Sequence, residues 1–326
     1  MSRAFTDNIN SFNVSNNYNN VVIFTTTDDE SKILAWLSPL EPQVRHQDIC
    51  DRRVDSVGNW LLETKEFRNW CNGSEDGETD YAALFCHGDP GVGKSYIWYE
   101  RRSVLNKQGL LLTGHDGSSV VVDYLCDKVI EQDMAVACFY YDFAAREAQS
   151  PANMLGSLLK QLLSGLGAIP AEIVKKFRGQ KQAIGGRRMQ LHDIVKMCAA
   201  VTSLQRTFIC VDALDECVPR HRLEVLEALG QILRGSPNTR MFLIGRSHIR
   251  GMVERGLGGR IISVSIRSRD DDIVTYLRAR LGRDTTPDAM DSLLQNDIMK
   301  SIPEGTSETY VPVGDSGSSC ESYTNR

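Results

Sequence analysis

The chain has 326 residues, room for one large or two small domains, and its 41% hydrophobic and 24% charged content is that of an ordinary globular protein. Lys plus Arg number 37 against 42 Asp plus Glu, a net charge of -5, which argues against a broadly basic nucleic-acid-binding surface and leaves room only for a local patch. No apolar run approaches the ~20 residues of a membrane span. Residues 1–20 lack the apolar stretch of a secretory signal. The nine scattered cysteines, without Cys-x-x-Cys or Cys/His spacing, read as reduced thiols of a cytoplasmic protein rather than a disulfide framework or zinc ribbon.

Residues 1–32 are rich in Asn, Ser and Thr, too polar to offset the entropy of ordering, and are expected to be disordered, with 21–24 as a short strand candidate. Residues 33–80 read as a helical lead-in. Trp60, Leu61, Leu62, Phe67 and Trp70 suggest amphipathic helices, and both tryptophans read as core aromatics rather than base stackers. The acidic, Gly-containing stretch 72–80 is a surface loop.

From 81 to 283 short apolar runs alternate with helical stretches. The strand candidates are 82–87, 135–141, 207–212, 240–245 and 261–266. Ser150-Pro151 caps a helix whose Met154, Leu155, Leu158, Leu159, Leu162, Leu163 and Leu166 form one apolar face. Further helices are predicted over 221–234, ended by Gly235, and over 270–281. This alternation implies an α/β fold, a parallel sheet with helices on both faces, preceded by the short helical segment.

The first strand runs into His87, Gly88, Asp89, Pro90, Gly91, Val92, Gly93, Lys94 and Ser95, a complete G-x-x-x-x-G-K-S. The glycines let the backbone curl so that several N–H groups point at a phosphate, and the helix beginning near Gly93 adds its positive end. Lys94 is suited to the β- and γ-phosphates and Ser95 to Mg²⁺. His87 reads as a strand-end residue, since no nucleophile is paired with it in sequence.

The run 207–211 ends in Asp212-Ala213-Leu214-Asp215-Glu216. Acids at the C-terminal end of a parallel strand stand where open α/β sheets bind ligands. Asp212 is assigned to Mg²⁺, directly or through water. Of Asp215 and Glu216, one is assigned to orient or deprotonate the attacking water; a solvated helix cap is the plainer reading of the pair in isolation, and three acids after an apolar run, downstream of a phosphate loop, reverse it. A further strand ends in Gly245-Arg246-Ser247, and Arg246 is a candidate γ-phosphate sensor that stabilises developing charge. The candidate site is therefore Gly88 to Ser95 for nucleotide, Ser95 and Asp212 for the metal, and Asp215, Glu216 and Arg246 for catalysis.

These motifs together resemble the NACHT-type NTPases of the STAND class, of which Asp-Ala-Leu-Asp-Glu after the second strand is a particular mark. The stretch His46-Gln47-Asp48-Ile49-Cys50-Asp51-Arg52-Arg53, followed by Gly58-Asn59-Trp60-Leu61-Leu62 and Phe67-Arg68-Asn69-Trp70, is similar to the nephrocystin-type N-terminal segment that precedes the phosphate loop in fungal NLR-like proteins. The resemblance covers 36–302. It implies a P-loop NTPase fold and a switch that exchanges ADP for ATP, oligomerises, and acts in signalling or non-self recognition. Family members usually add an effector domain, a winged helix and ankyrin, WD40 or TPR repeats. Residues 1–32 are too short for an effector domain, and Ser247 stands where proline often follows the sensor arginine.

Two stretches depart from the pattern. Residues 98–119, between Lys94 and the next strand, have no helical period and no family counterpart; they are either a retained intron in the gene model or a surface insertion. Residues 284–326 begin as a partial helix and become a polar tail from Thr309, where the family continues apolar, so the chain reads as truncated. The leading functional expectation is a slow, nucleotide-dependent switch using ATP, or GTP, with Mg²⁺, whose partners are nucleotide and a homo-oligomer or full-length relative, not nucleic acid or membrane. A non-catalytic decoy fragment is the second reading and a metabolic P-loop kinase the third.

Overall fold

The structure, a computed structural model, describes residues 27–42, 57–73, 81–88, 98–100, 118–181, 188–267, 269–281, 293 and 295–301. The strand candidate at 21–24 and the tail from Thr309 lie outside these residues.

Helix α1 (Thr27–Leu37) begins ahead of the helical pattern read from Ile33. Asp29 and Glu30 stand near its start, and carboxylates there favour the positive helix end, which carries the helix back into a stretch whose composition suggests disorder. Two short helices follow, α2 (Trp60–Glu63) and α3 (Lys65–Asn72). Thr64 joins them: its hydroxyl accepts from Phe67 N at 3.2 Å and donates to Leu61 O at 2.7 Å, the N-cap arrangement that satisfies an orphan helix donor.

The remaining elements are strand β1 (Ala83–Gly88), β2 (Trp98–Glu100), β3 (Ser118–Ser119), helix α4 (Val120–Glu131), β4 (Met134–Tyr140), α5 (Pro151–Ser164), α6 (Ala171–Lys181), α7 (Leu191–Thr202), β5 (Arg206–Asp212), α8 (Pro219–Gly235), β6 (Thr239–Arg246), α9 (Arg250–Leu257), β7 (Ile261–Ser265) and α10 (Asp270–Leu281). Five strands form one sheet in the order β4-β5-β6-β1-β7, each neighbouring pair parallel. β2 and β3 form a separate antiparallel pair in which Glu100 faces Ser118.

Side chains alternate across the sheet with the period of two that strands impose. Ala83, Phe85, Ile209, Val211, Met241 and Leu243 enter one core, with the residues of α1 and α5 to α9. Leu84, Cys86, Phe208, Cys210, Phe242 and Ile244 enter the other, with α2, α3 and α4. The strand order accounts for this division. The crossover leaving β1 runs toward the β4 edge and the later ones run back, so a single crossover hand sends them to opposite faces.

Helix α5 carries the apolar face predicted for it. Ser150 Oγ accepts from Asn153 N at 3.3 Å and Pro151 takes the first position, while Met154, Leu155, Leu158, Leu159, Leu162 and Leu163 are buried. Each contributes roughly 1.5–3 kcal/mol on burial. Gly156 is required by contact: a Cβ there would lie 2.3 Å from Leu37 O, where α1 lands on α5. Gly230 serves α8 and α9 in the same way, a Cβ meeting Gly256 O at 2.5 Å. At the outer edge of β4, the Gln161 amide accepts from Cys138 N at 3.0 Å and donates to Cys138 O at 2.8 Å. No helix among the described residues is long and apolar enough to cross a membrane.

Candidate nucleotide site

Because the five strands are parallel, their C-terminal ends share one edge. Gly88, the last residue of β1, lies opposite Arg246, the last of β6. The chain therefore leaves β1 for its glycine-rich loop directly beside the candidate sensor arginine. Asp89, Pro90, Gly91, Val92, Gly93, Lys94 and Ser95 lie outside the described residues. Gly88 is buried. His87, also buried, has Nδ1 3.3 Å from Ser247 Oγ, stacks on Phe85 at 5.5 Å, and its carbonyl accepts from Ile266 N at 2.7 Å. It ties the end of β1 to the strands on either side.

On β5, Asp212 is buried and its Oδ1 accepts from Ala213 N at 2.7 Å. Ala213 has φ 50 and ψ 40, the only positive φ outside glycine among the described residues. That conformation costs an alanine on the order of 1–2 kcal/mol, and the Asp212 contact helps to hold it. The left-handed residue turns the chain sharply into a 3-10 turn, Leu214–Glu216.

The turn sends its two acids in different directions. Asp215 faces β6: its Oδ2 is 3.0 Å from Arg246 Nε, and its Oδ1 accepts from Arg246 N at 3.1 Å. The Asp215 side chain is 8% exposed and that of Arg246 48%, so the carboxylate is fixed while the guanidinium keeps one side open to solvent. Glu216 faces the segment after β4, its Oε2 accepting from Phe143 N at 2.9 Å. Burial raises the Glu216 pKa above the ordinary glutamate value. Asp215 and Asp142 push the same way, and the Phe143 N–H and Arg246 oppose.

The structure thus brings Gly88, Asp215 and Arg246 together, with Asp212 at the end of the next strand, and turns Glu216 toward β4. One contributor has no signal in the sequence. Arg222 on α8 is buried, and its Nη2 donates to Asp215 O at 2.7 Å and Cys217 O at 3.0 Å; Pro219-Arg220-His221-Arg222 reads as a polar helix start. Trp70 is a core residue, fully buried within 5.8 Å of the rings of Phe67, Phe208 and Phe242. Trp60 packs on the same core, with the Arg269 guanidinium 5.7 Å from its ring.

A five-stranded parallel sheet with helices on both faces, a phosphate-loop sequence directly after β1, and an acid-ended strand and an arginine-ended strand at the same edge define the α/β fold of the P-loop NTPases. The family described as Nephrocystin 3, N-terminal matches residues 56–109 and 98–246, more than half of the chain, and the chain belongs to that family. No curated protein matches it. Among solved structures, the Walker-type ATPase PABY2304 of Pyrococcus abyssi is similar at 14% identity over 78% of this chain and 66% of its own, with a TM-score of 0.40. The Aeropyrum pernix ORC1 protein in complex with DNA is similar at 13% identity over 80% and 55%, with a TM-score of 0.38. AMPPCP-bound DnaA of Aquifex aeolicus is similar at 13% identity over 77% and 61%, with a TM-score of 0.35. The chain spans less than two thirds of each of these proteins, and likeness at this level adds nothing to the site.

Proposed function

We propose that the chain is a nucleotide-operated switch of the NACHT type within the STAND class, acting in signalling or non-self recognition. It binds ATP, or GTP, as the Mg²⁺ complex on Gly88 to Ser95. The observation that carries this reading is the convergence of Gly88, Arg246 and the acid-bearing turn at one sheet edge. Lys94 takes the β- and γ-phosphates. Ser95 and Asp212 hold Mg²⁺, which draws the rest of its shell from phosphate and water. Asp215 or Glu216 orients the attacking water. Glu216, its carboxyl already raised in pKa, is closer to the range of a useful base. Arg246 is shared: Asp215 holds it, and a γ-phosphate arriving beside Gly88 competes for it, so that the state of the nucleotide is read as a rearrangement between β5 and β6.

Hydrolysis in such a switch is slow, on the order of 10⁻⁴–10⁻² s⁻¹ without a partner's added charge. Purified protein should bind ATP with Mg²⁺, and Lys94→Ala should abolish it. Binding that survives the substitution sinks the site assignment, and a wild type that binds nothing at millimolar ATP favours the decoy reading. Size-exclusion chromatography in ATP against ADP tests nucleotide-dependent assembly with further copies or a full-length relative.

Residues 98–119 are read as an insertion within the P-loop domain of 81–283. The family match divides at 98–109, and Glu100 pairs with Ser118. Transcript reads joining Ile97 to Val120 would trace the segment to the gene model; uniform coverage makes it a true insertion.

A further inference from the structure

Arg222 has a role that neither motif supplies. It is a buried guanidinium, 8% exposed, and an arginine keeps its charge at every working pH. A buried cation of this kind normally meets a carboxylate, because leaving it unpaired costs several kcal/mol. Among the described residues Arg222 meets two backbone carbonyls instead, Asp215 O at 2.7 Å and Cys217 O at 3.0 Å, through one nitrogen, and its Nε has no hydrogen-bond partner. The arrangement is poor for solvating the guanidinium and well suited to fixing the chain.

The two carbonyls flank Glu216. A donor that binds both pins the 215–216 and 217–218 peptides, which bracket Glu216 and Cys217, and with them the directions in which Asp215 and Glu216 leave the turn. The turn needs such a hold. It opens on Ala213 in the left-handed region, and its own backbone bonds are Glu216 N to Ala213 O at 2.8 Å and Cys217 N to Leu214 O at 3.3 Å. We propose that Arg222 is a positioning residue, whose Nη2 on Asp215 O and Cys217 O aims Asp215 at Arg246 and Glu216 at the attacking water. It touches neither nucleotide nor metal. The inference rests on the hydrolytic reading given above.

A lysine keeps the charge on a shorter, differently shaped head, and methionine keeps neither charge nor donors, so Arg222→Lys and Arg222→Met separate charge from geometry. In the full chain, Mg-ATP affinity should be unchanged in both variants. Single-turnover hydrolysis should fall about 100-fold in Arg222→Met, the scale of an ångström-level misplacement of a catalytic group, and less in Arg222→Lys. Cys217, 1% exposed and the bearer of one of the two carbonyls, supplies a readout without nucleotide. Its alkylation by iodoacetamide, followed by mass spectrometry, should quicken in Arg222→Met. Wild-type hydrolysis in that variant overturns the proposal, as does a parallel loss of binding and hydrolysis in both variants, which makes Arg222 a residue of the fold alone. If the wild type hydrolyses nothing, the hydrolytic reading fails by itself, and Cys217 still decides: faster alkylation upholds Arg222 as the clasp of the turn, and unchanged alkylation overturns it.

Discussion

The two faces of the sheet are built from different parts of the chain. One is covered by α5 to α9, which lie between the strands they pack on, with α1 added against α5, and its filling is largely aliphatic, with Leu155, Leu158, Leu159, Leu162 and Leu163 from α5 alone. The other is covered by α4 and by helices that precede the sheet, and it is richer in aromatic rings: Phe67 and Trp70 from α3 meet Phe208 and Phe242 from the strands. The first face forms mainly from helices that lie between its own strands, with α1 added against α5. The second needs a segment brought from before β1, and without it Phe208 and Phe242 would face water. The lead-in is therefore structural material of the domain, and the family match beginning at residue 56 runs through it.

The sharpest test of that comparison is a pair of truncations. Trp70→Ala should cost about 3–5 kcal/mol and Leu158→Ala about 2–5 kcal/mol in urea unfolding. Parity or a larger loss at Trp70 means that the lead-in carries as much of the fold as α5. A loss below 1 kcal/mol at Trp70 would show that α3 is dispensable and would break the comparison. Trp70 Nε1 is buried with no hydrogen-bond partner among the described residues, so the indole N–H already weighs against its own burial and the packing is what is lost.

Gly156→Ala probes where α1 meets the aliphatic face. The added Cβ must displace Leu37 O, backbone rather than a flexible tip, and overpacking of this kind costs about 1–3 kcal/mol. Thermal melting should fall accordingly; an unchanged midpoint would mean that α1 is held loosely.

The smallest effect is electrostatic and lies at the site. The Glu216 pKa is raised in the folded state, chiefly by burial, so the ionised form opposes folding and the protonated form favours it. The stability drawn from this group therefore grows as pH falls through its folded pKa. Glu216→Gln removes the ionised form and keeps an acceptor for Phe143 N. The melting temperature at neutral pH should rise slightly and vary less in the mildly acidic range. A lower melting temperature at neutral pH would show that the Phe143 contact outweighs the burial.

Much of the fold was legible because the signals are local. Five apolar runs marked the five strands of the sheet to within a residue or two, and Ser150-Pro151 marked the start of α5. Helices α6 and α7 have only a weak signal in the sequence, although Ile173, Val174 and Phe177 in one and Ile194, Val195, Met197, Cys198 and Val201 in the other are buried. Lys175, Lys176, Arg178 and Lys181 dilute the first pattern, and no strong cap announces the second. The strand order was beyond reach, since β1 pairs with β6 and β7, more than 150 residues away. Near the site the residue types were readable and their relations were not. Asp215 and Arg246 were each singled out, but their pairing spans 31 residues with no motif, and Arg222 resembled any charged residue opening an exposed helix.

Gln161 has a consequence for self-association. By occupying both backbone groups of Cys138 at the β4 edge, it removes from an incoming strand the hydrogen-bond pair it would need to dock there. A second copy that extended the sheet across β4 would first have to displace Gln161 from Cys138, so this edge resists sheet-to-sheet association.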